Sequence, residues 1–148
     1  MKSTWWNSMV ACAAAVAISQ IPAGVLASQA GAQQTARAMY QSLVRHGYSV
    51  RDTYQLGLLD VGRARGVRMT LYQGTEYVLF ASGCEEAVDV DILVYDENRN
   101  LVAGDTDSSV DAIARVTPAW SGPFLVVIRM ADAGSGTNAH WVLQTGYQ

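Results

Sequence analysis

Val88-Asp-Val-Asp-Ile-Leu-Val-Tyr95 is the stretch that decides the fold. In an extended chain, Val88, Val90, Ile92 and Val94 fall on one side and Asp89 and Asp91 on the other, the period-two pattern of a strand with one face in a core and one in water. β-branched residues dominate it, which favours a pleated sheet. The acids and amides of Asp96 to Asn100 follow at once and turn the chain into a second run, Leu101 to Gly104, as a hairpin.

The same texture extends in both directions. Short apolar runs separated by Gly, Asp, Asn and Pro predict strands at Thr53–Leu59, Val67–Tyr72, Glu76–Ala81, Ala112–Val116, Phe124–Met130 and His140–Thr145, about eight with the central pair. Gln73-Gly74 and Ser121-Gly122 supply tight turns, and Ala133 to Asn138 a flexible loop. One sheet backed by a helix does not need so many strands, whereas two packed antiparallel sheets cover both faces at this length. The fold class expected is an all-β antiparallel sandwich.

Upstream of it, Thr35 to His46 reads as one short helix. Ala36, Met39, Tyr40, Leu43 and Val44 recur at helical spacing, Thr35 can cap the start and Gly47 can end it. The expected division is a helix and connector over residues 31–52 and a sandwich domain over 53–148. Residues 1–30 read as a cleaved signal peptide: Lys2 is the positive end, Met9 to Ile18 the apolar run and Val25 to Ala32 a small-residue exit. Cleavage after Ala27, Ala30 or Ala32 fits equally. The apolar run is too short for a stable transmembrane span, so export to the periplasm or beyond is expected.

Cys12 falls inside the segment removed, which leaves Cys84 as the single cysteine of the mature chain and excludes an internal disulfide. Cys84 is either a buried, inert thiol or, beside Glu85 and Glu86, the donor of an intermolecular disulfide. Charge is uneven: from Arg37 to Arg68 six arginines face two aspartates, and from Glu76 to Asp111 ten carboxylates face Arg99 alone. The acidic half argues against nucleic acid as a partner, since phosphates would be repelled.

The acids themselves suggest a hard cation. Asp89 and Asp91 share a strand face, and Asp105, Asp107, Ser109 and Asp111 set oxygens on alternate residues of a loop, so these four aspartates with Asp89 are the candidate calcium ligands. The loop lacks the Gly and Glu of an EF-hand, having Val110 and Val116 there. Solvated turn acids are the competing reading, and no cofactor is required. Hydrolase chemistry finds no support: His46 and His140 stand apart from any Gly-x-Ser-x-Gly elbow. Two separated histidines with one cysteine give no zinc spacing either. Among aromatics, Trp120 at a turn is the candidate for an exposed binding residue, with a lid over one end of the sandwich as its alternative.

Four segments in order carry a family resemblance: Leu71-Tyr-Gln-Gly-Thr-Glu-Tyr-Val-Leu79, Asp89-Val-Asp-Ile-Leu-Val-Tyr-Asp96, Asn100-Leu-Val-Ala-Gly-Asp105 and Ser121-Gly-Pro-Phe-Leu-Val-Val-Ile128. Together they resemble the bacterial pre-peptidase C-terminal domain family, with Asn100 and Pro123 as departures. The resemblance spans roughly Leu56 to Thr145. It implies a jelly-roll-like sandwich that serves secreted enzymes as an accessory module, with calcium dependence in some collagen-binding relatives. The function expected is a non-catalytic binding module that engages another envelope or secreted protein through the helix or a sheet edge. A calcium-assisted binder of matrix, carbohydrate or protein is the second reading, and a small hydrolase the third.

Overall fold

The computed structural model describes residues 23–148, with side chains from Gln29 onward. The positive end and apolar run of the expected signal peptide lie outside the described residues. Helix α1 (Ala23–Arg45) leads into nine strands: β1 (Ser49–Val50), β2 (Gln55–Asp60), β3 (Ala64–Leu71), β4 (Tyr77–Gly83), β5 (Asp89–Tyr95), β6 (Leu101–Asp105), β7 (Asp111–Val116), β8 (Gly122–Asp132) and β9 (Asn138–Tyr147). Among the described residues no helix is long and apolar enough to cross a membrane.

The strands pair as a nested set. β2 lies antiparallel to β9, β3 to β8, β4 to β7 and β5 to β6. Folding that four-tiered hairpin over itself gives a sheet in the order β2-β9-β4-β7, extended by β1 along β9, and a second in the order β3-β8-β5-β6. This is a jelly-roll sandwich. Its core holds Leu71, Leu79, Val90, Ile92, Val94, Phe124, Val126, Ile128 and Met130, drawn from both inner faces. No covalent staple is needed, because strands buried on one face each present apolar residues at every second position.

The innermost turn is set by one carboxylate. Asp96 Oδ1 accepts the N–H groups of Asn98 and Asn100, each at 2.8 Å, and Oδ2 accepts Asn100 Nδ2 at 2.8 Å. Those bonds hold the Asp96 carboxyl below the usual aspartate range. With both flanking amides tied down, the residue carried into the left-handed region is Arg99, at φ 67°.

Two expectations need correction. The helix starts at Ala23, twelve residues before Thr35, so Thr35 is not its cap. Its buried stripe is Ala32, Ala36, Met39 and Leu43, while Tyr40 and Val44 stay exposed. The stripe continues upstream because Ala32 extends the same four-residue spacing onto β9. A cut after Ala32 would therefore remove a packed residue, whereas Ala27 and Ala30 precede it. In the decisive strand, Val88 is exposed and stands outside β5, because the pairing with β8 shifts register between Asp89 and Val90.

α1 forms a third layer on the outer face of the five-stranded sheet. Ala32, Ala36 and Met39 pack on Val142, and Leu43 packs with Tyr48 and Val78. Its end is a Schellman motif: Tyr48 N–H donates to Leu43 O at 3.1 Å, Gly47 N–H to Val44 O at 3.0 Å, and Gly47 sits at φ 87°. Tyr48 then ties the connector to the sheet, its hydroxyl donating to Glu76 Oε1 at 2.7 Å and accepting from Arg115 Nη1 at 2.6 Å.

Docking of the helix yields a prediction. Met39→Ala should lower unfolding stability in urea by about 2–5 kcal/mol, the usual range for a buried Met truncated to Ala. Tyr40→Ala, one residue along on the exposed side, should stay within about 0.5 kcal/mol of the parent.

Candidate functional site

Alternation along two neighbouring strands builds a cluster at one end of the five-stranded sheet. In β4, Leu79, Ala81 and Gly83 face the core, and Val78 and Phe80 face α1. In β9, Trp141 and Leu143 face the core and Val142 the helix. Gly83 pairs with Trp141. Cys84, one residue past β4, thus arrives opposite His140. Its N–H donates to His140 O at 3.0 Å, and His140 N–H donates to Cys84 Sγ at 3.3 Å.

The chain then doubles back. Ala87 N–H donates to Cys84 O at 2.9 Å, and this turn brings the Glu86 carboxylate onto the sulfur, which donates to Glu86 Oε2. Gly31 of α1 is a neighbour, since a methyl group there would lie 4.0 Å from Cys84 Cβ, in ordinary van der Waals contact. The thiol, imidazole and carboxylate donor atoms all lie within 4.8 Å of one another. Cys84 is 4% and His140 8% exposed, while Glu86 opens to solvent. Burial pushes the Cys84 thiol up from its ordinary value, and the hydrogen bond to Glu86 adds to the rise.

Of the two readings of Cys84, the buried thiol and the intermolecular disulfide, its burial to 4% exposure favours the first. His140, set aside on spacing alone, is here brought to the cysteine. The sequence separation is 56 residues, so only the pairing register of β4 with β9 reveals the neighbourhood.

Of the five aspartates, Asp89 and Asp105 lie close enough to Asp91 for their charges to act on it. Among the described residues, the Cys84 cluster is the one set of three or more potential ligands that converge. Asp111 accepts the Ser82 hydroxyl, and Asp105 accepts the N–H groups of Asp107 and Ile113 at 3.2 and 2.9 Å. Protein donors thus occupy the carboxylates of Asp105 and Asp111. Asp91 is buried to 5% exposure on the outer side of the other sheet, with Arg129 Nη1 at 3.5 Å from its Oδ2. Asp89 Oδ1 nearby is buried without a hydrogen-bond partner.

Trp120 divides its two expected roles. It is 37% exposed, its indole N–H donates to Glu97 Oε2 at 2.9 Å, and its ring stacks on core residue Phe124 with centroids 5.7 Å apart. It lids one end of the sandwich and shows its outer rim to solvent.

A second feature was not singled out residue by residue in the sequence. β2 pairs with β9 along one side only. Leu56 and Leu58 lie opposite Val142 and His140, on the face that carries α1, yet stand beyond the helix at 39% and 54% exposure. Between helix and edge runs a groove of about 300 Å³, walled by Ala36 and Tyr40 on one side and Asp52 and Tyr54 on the other. Gln144 is at its floor, donating through Nε2 to Arg51 O at 2.9 Å.

No family model matches the chain, and no curated protein matches it in sequence. Among solved structures it is similar to the crystal structure of Aeromonas hydrophila PliG, a periplasmic lysozyme inhibitor of g-type lysozyme. The TM-score is 0.51 at 12% identity, over 70% of this chain and 90% of that one. At that identity the likeness concerns the fold: a β-rich body of matching architecture.

Asp91 supplies a pH prediction. Burial first, then the charges of Asp89 and Asp105, raise its pKa against the pull of Arg129. The native state therefore keeps the proton to higher pH than the unfolded chain, and between the two pKa values the unfolded state binds fewer protons. Stability falls as pH rises through that window. Asp91→Asn should remove this fall and be at least as stable as the parent at neutral pH, read from melting temperatures across an acid-to-neutral series.

Proposed function

We propose that this chain is a non-catalytic, exported binding module that engages another protein of the envelope or the secreted pool through edge strand β2 and the adjoining flank of α1. The observation that carries the reading is the pair Leu56 and Leu58, exposed on a strand whose outer edge has no partner among the described residues.

Exposed sheet edges invite pairing with another chain, and proteins usually blunt them with Lys, Pro, bulges or inward charges. Gln55-Leu-Gly-Leu-Leu-Asp60 carries none of these before its last residue. Its free N–H and C=O groups can accept an added strand, while Leu56, Leu58, Tyr54 and Tyr40 offer an apolar surface with a polar rim at Arg37 and Asp52. Gly57 fixes the strand against the body, since a methyl group there would meet Trp141 Nε1 at 2.9 Å. The likeness to a periplasmic lysozyme inhibitor supports both the exported compartment and a protein partner, and makes g-type lysozyme the first defined partner to try.

The test is affinity capture from the native envelope, and from purified g-type lysozyme, with wild-type and Leu58→Arg baits in parallel. A stoichiometric partner should be retained by the wild type and weakened about 30-fold or more by the variant, the loss of an interface hot spot, with the melting temperature unchanged. Equal capture by both baits, or none by either, contradicts the reading.

A further inference from the structure

We infer that Cys84, Glu86 and His140 form a three-ligand site for a borderline-soft divalent cation of the zinc class, with one coordination position open toward solvent. The inference uses residues other than those of the proposed partner surface, although Leu58 pairs with His140 across β2 and β9, so metal binding and partner capture are measured separately.

The donor set is the first argument. Thiolate and imidazole are the ligands zinc prefers, a carboxylate completes many zinc sites, and three protein ligands with one open position form a common arrangement. Calcium and magnesium, which want oxygen alone, are disfavoured by the sulfur and nitrogen. Geometry is the second. Zinc bonds of about 2.0–2.3 Å in a tetrahedron put donor atoms roughly 3.4–3.6 Å apart. The three donors already lie within 4.8 Å of one another, so side-chain rotations suffice and no backbone needs to move.

Preorganisation is the third. Cys84 and His140 are clamped to each other by the Cys84 N–H donating to His140 O and the His140 N–H donating to Cys84 Sγ, and the Cys84–Ala87 turn holds Glu86 beside them. Glu86 is the exposed member of the three, so its side is the approach from water. On binding, the hydrogen bond from Cys84 Sγ to Glu86 is replaced by two bonds to the ion, and the thiol proton leaves to solvent. The metal does not change oxidation state.

The site also accounts for a costly placement. A cysteine and a histidine are packed under a helix against a carboxylate in a chain that has no other cysteine among its described residues. Bound metal would join the turn that follows β4 to β9.

The experiment uses the tag-free chain, stripped with chelator and titrated with Zn²⁺ and, as a spectroscopic probe, Co²⁺. One equivalent should bind, raise the melting temperature, and with Co²⁺ give the thiolate-to-metal charge-transfer band of a cysteine ligand. Cys84→Ser should abolish the band. Glu86→Gln, an exposed position that leaves folding intact, should weaken Zn²⁺ binding by more than the roughly 10- to 100-fold typical of losing an outer-shell partner. Asp105→Asn should change neither. Absence of the band in the wild type, or binding that Glu86→Gln and Cys84→Ser both leave unaltered, overturns the assignment; loss of the capture described above with metal binding intact would remove the partner reading alone.

Discussion

β9 is buried on both faces, and the rest of the molecule depends on that. From Ala139 to Gly146 every residue is covered, the odd-numbered side chains by the opposite sheet and the even-numbered ones largely by α1. A strand in this position must find a partner for every polar group it carries, because an unpaired one would cost a large part of a domain's stability. β1 and β2 satisfy one side of its backbone and β4 the other. Gln144 reaches the Arg51 carbonyl. The first and last parts of the chain are thus closed on each other before the middle tiers of the jelly roll are counted.

That closure explains where the surface is left incomplete. α1 is narrower than the sheet it covers. Its small residues Ala32 and Ala36 let it sit close over Val142, and the edge beyond, with Leu56 and Leu58, is left bare. Beside Leu58 the same sheet holds Cys84 against His140. Two different chemistries, an apolar edge and a soft donor set, therefore arise from one packing decision. Both lie on the five-stranded sheet and its helix, while the other sheet supplies mainly core.

Period-two patterning carried much of this into the sequence. Val90, Ile92 and Val94 face inward as their alternation requires, and the strands from Gln55 to Tyr147 fall close to the apolar runs that announce them. What was not legible is what depends on pairing between distant segments. His-Trp-Val-Leu-Gln-Thr in β9 shows no clean alternation because both its faces are covered, so the helix-facing side is disguised by His140 and Gln144. The upstream half of α1 looks like the exit of a signal segment, since small residues suit both a cleavage region and close packing on a strand. Asp91 reads as a solvated residue from its place in the pattern, yet its neighbours on the outer face enclose it. The meeting of Cys84 with His140 requires a register that no local motif encodes, whereas Asp105 looks like a ligand by spacing but spends its two carboxylate oxygens on the N–H groups of Asp107 and Ile113.

The most direct measurement of whether one doubly covered strand organises the molecule is native-state hydrogen exchange read amide by amide. The account predicts that the amides of residues 139–146 exchange slowest of all, and that those of residues 36–43 in α1 open together with them as one cooperative unit. Exchange of the α1 amides at the rate of a free helix, with β9 protected no better than an edge strand, would contradict it.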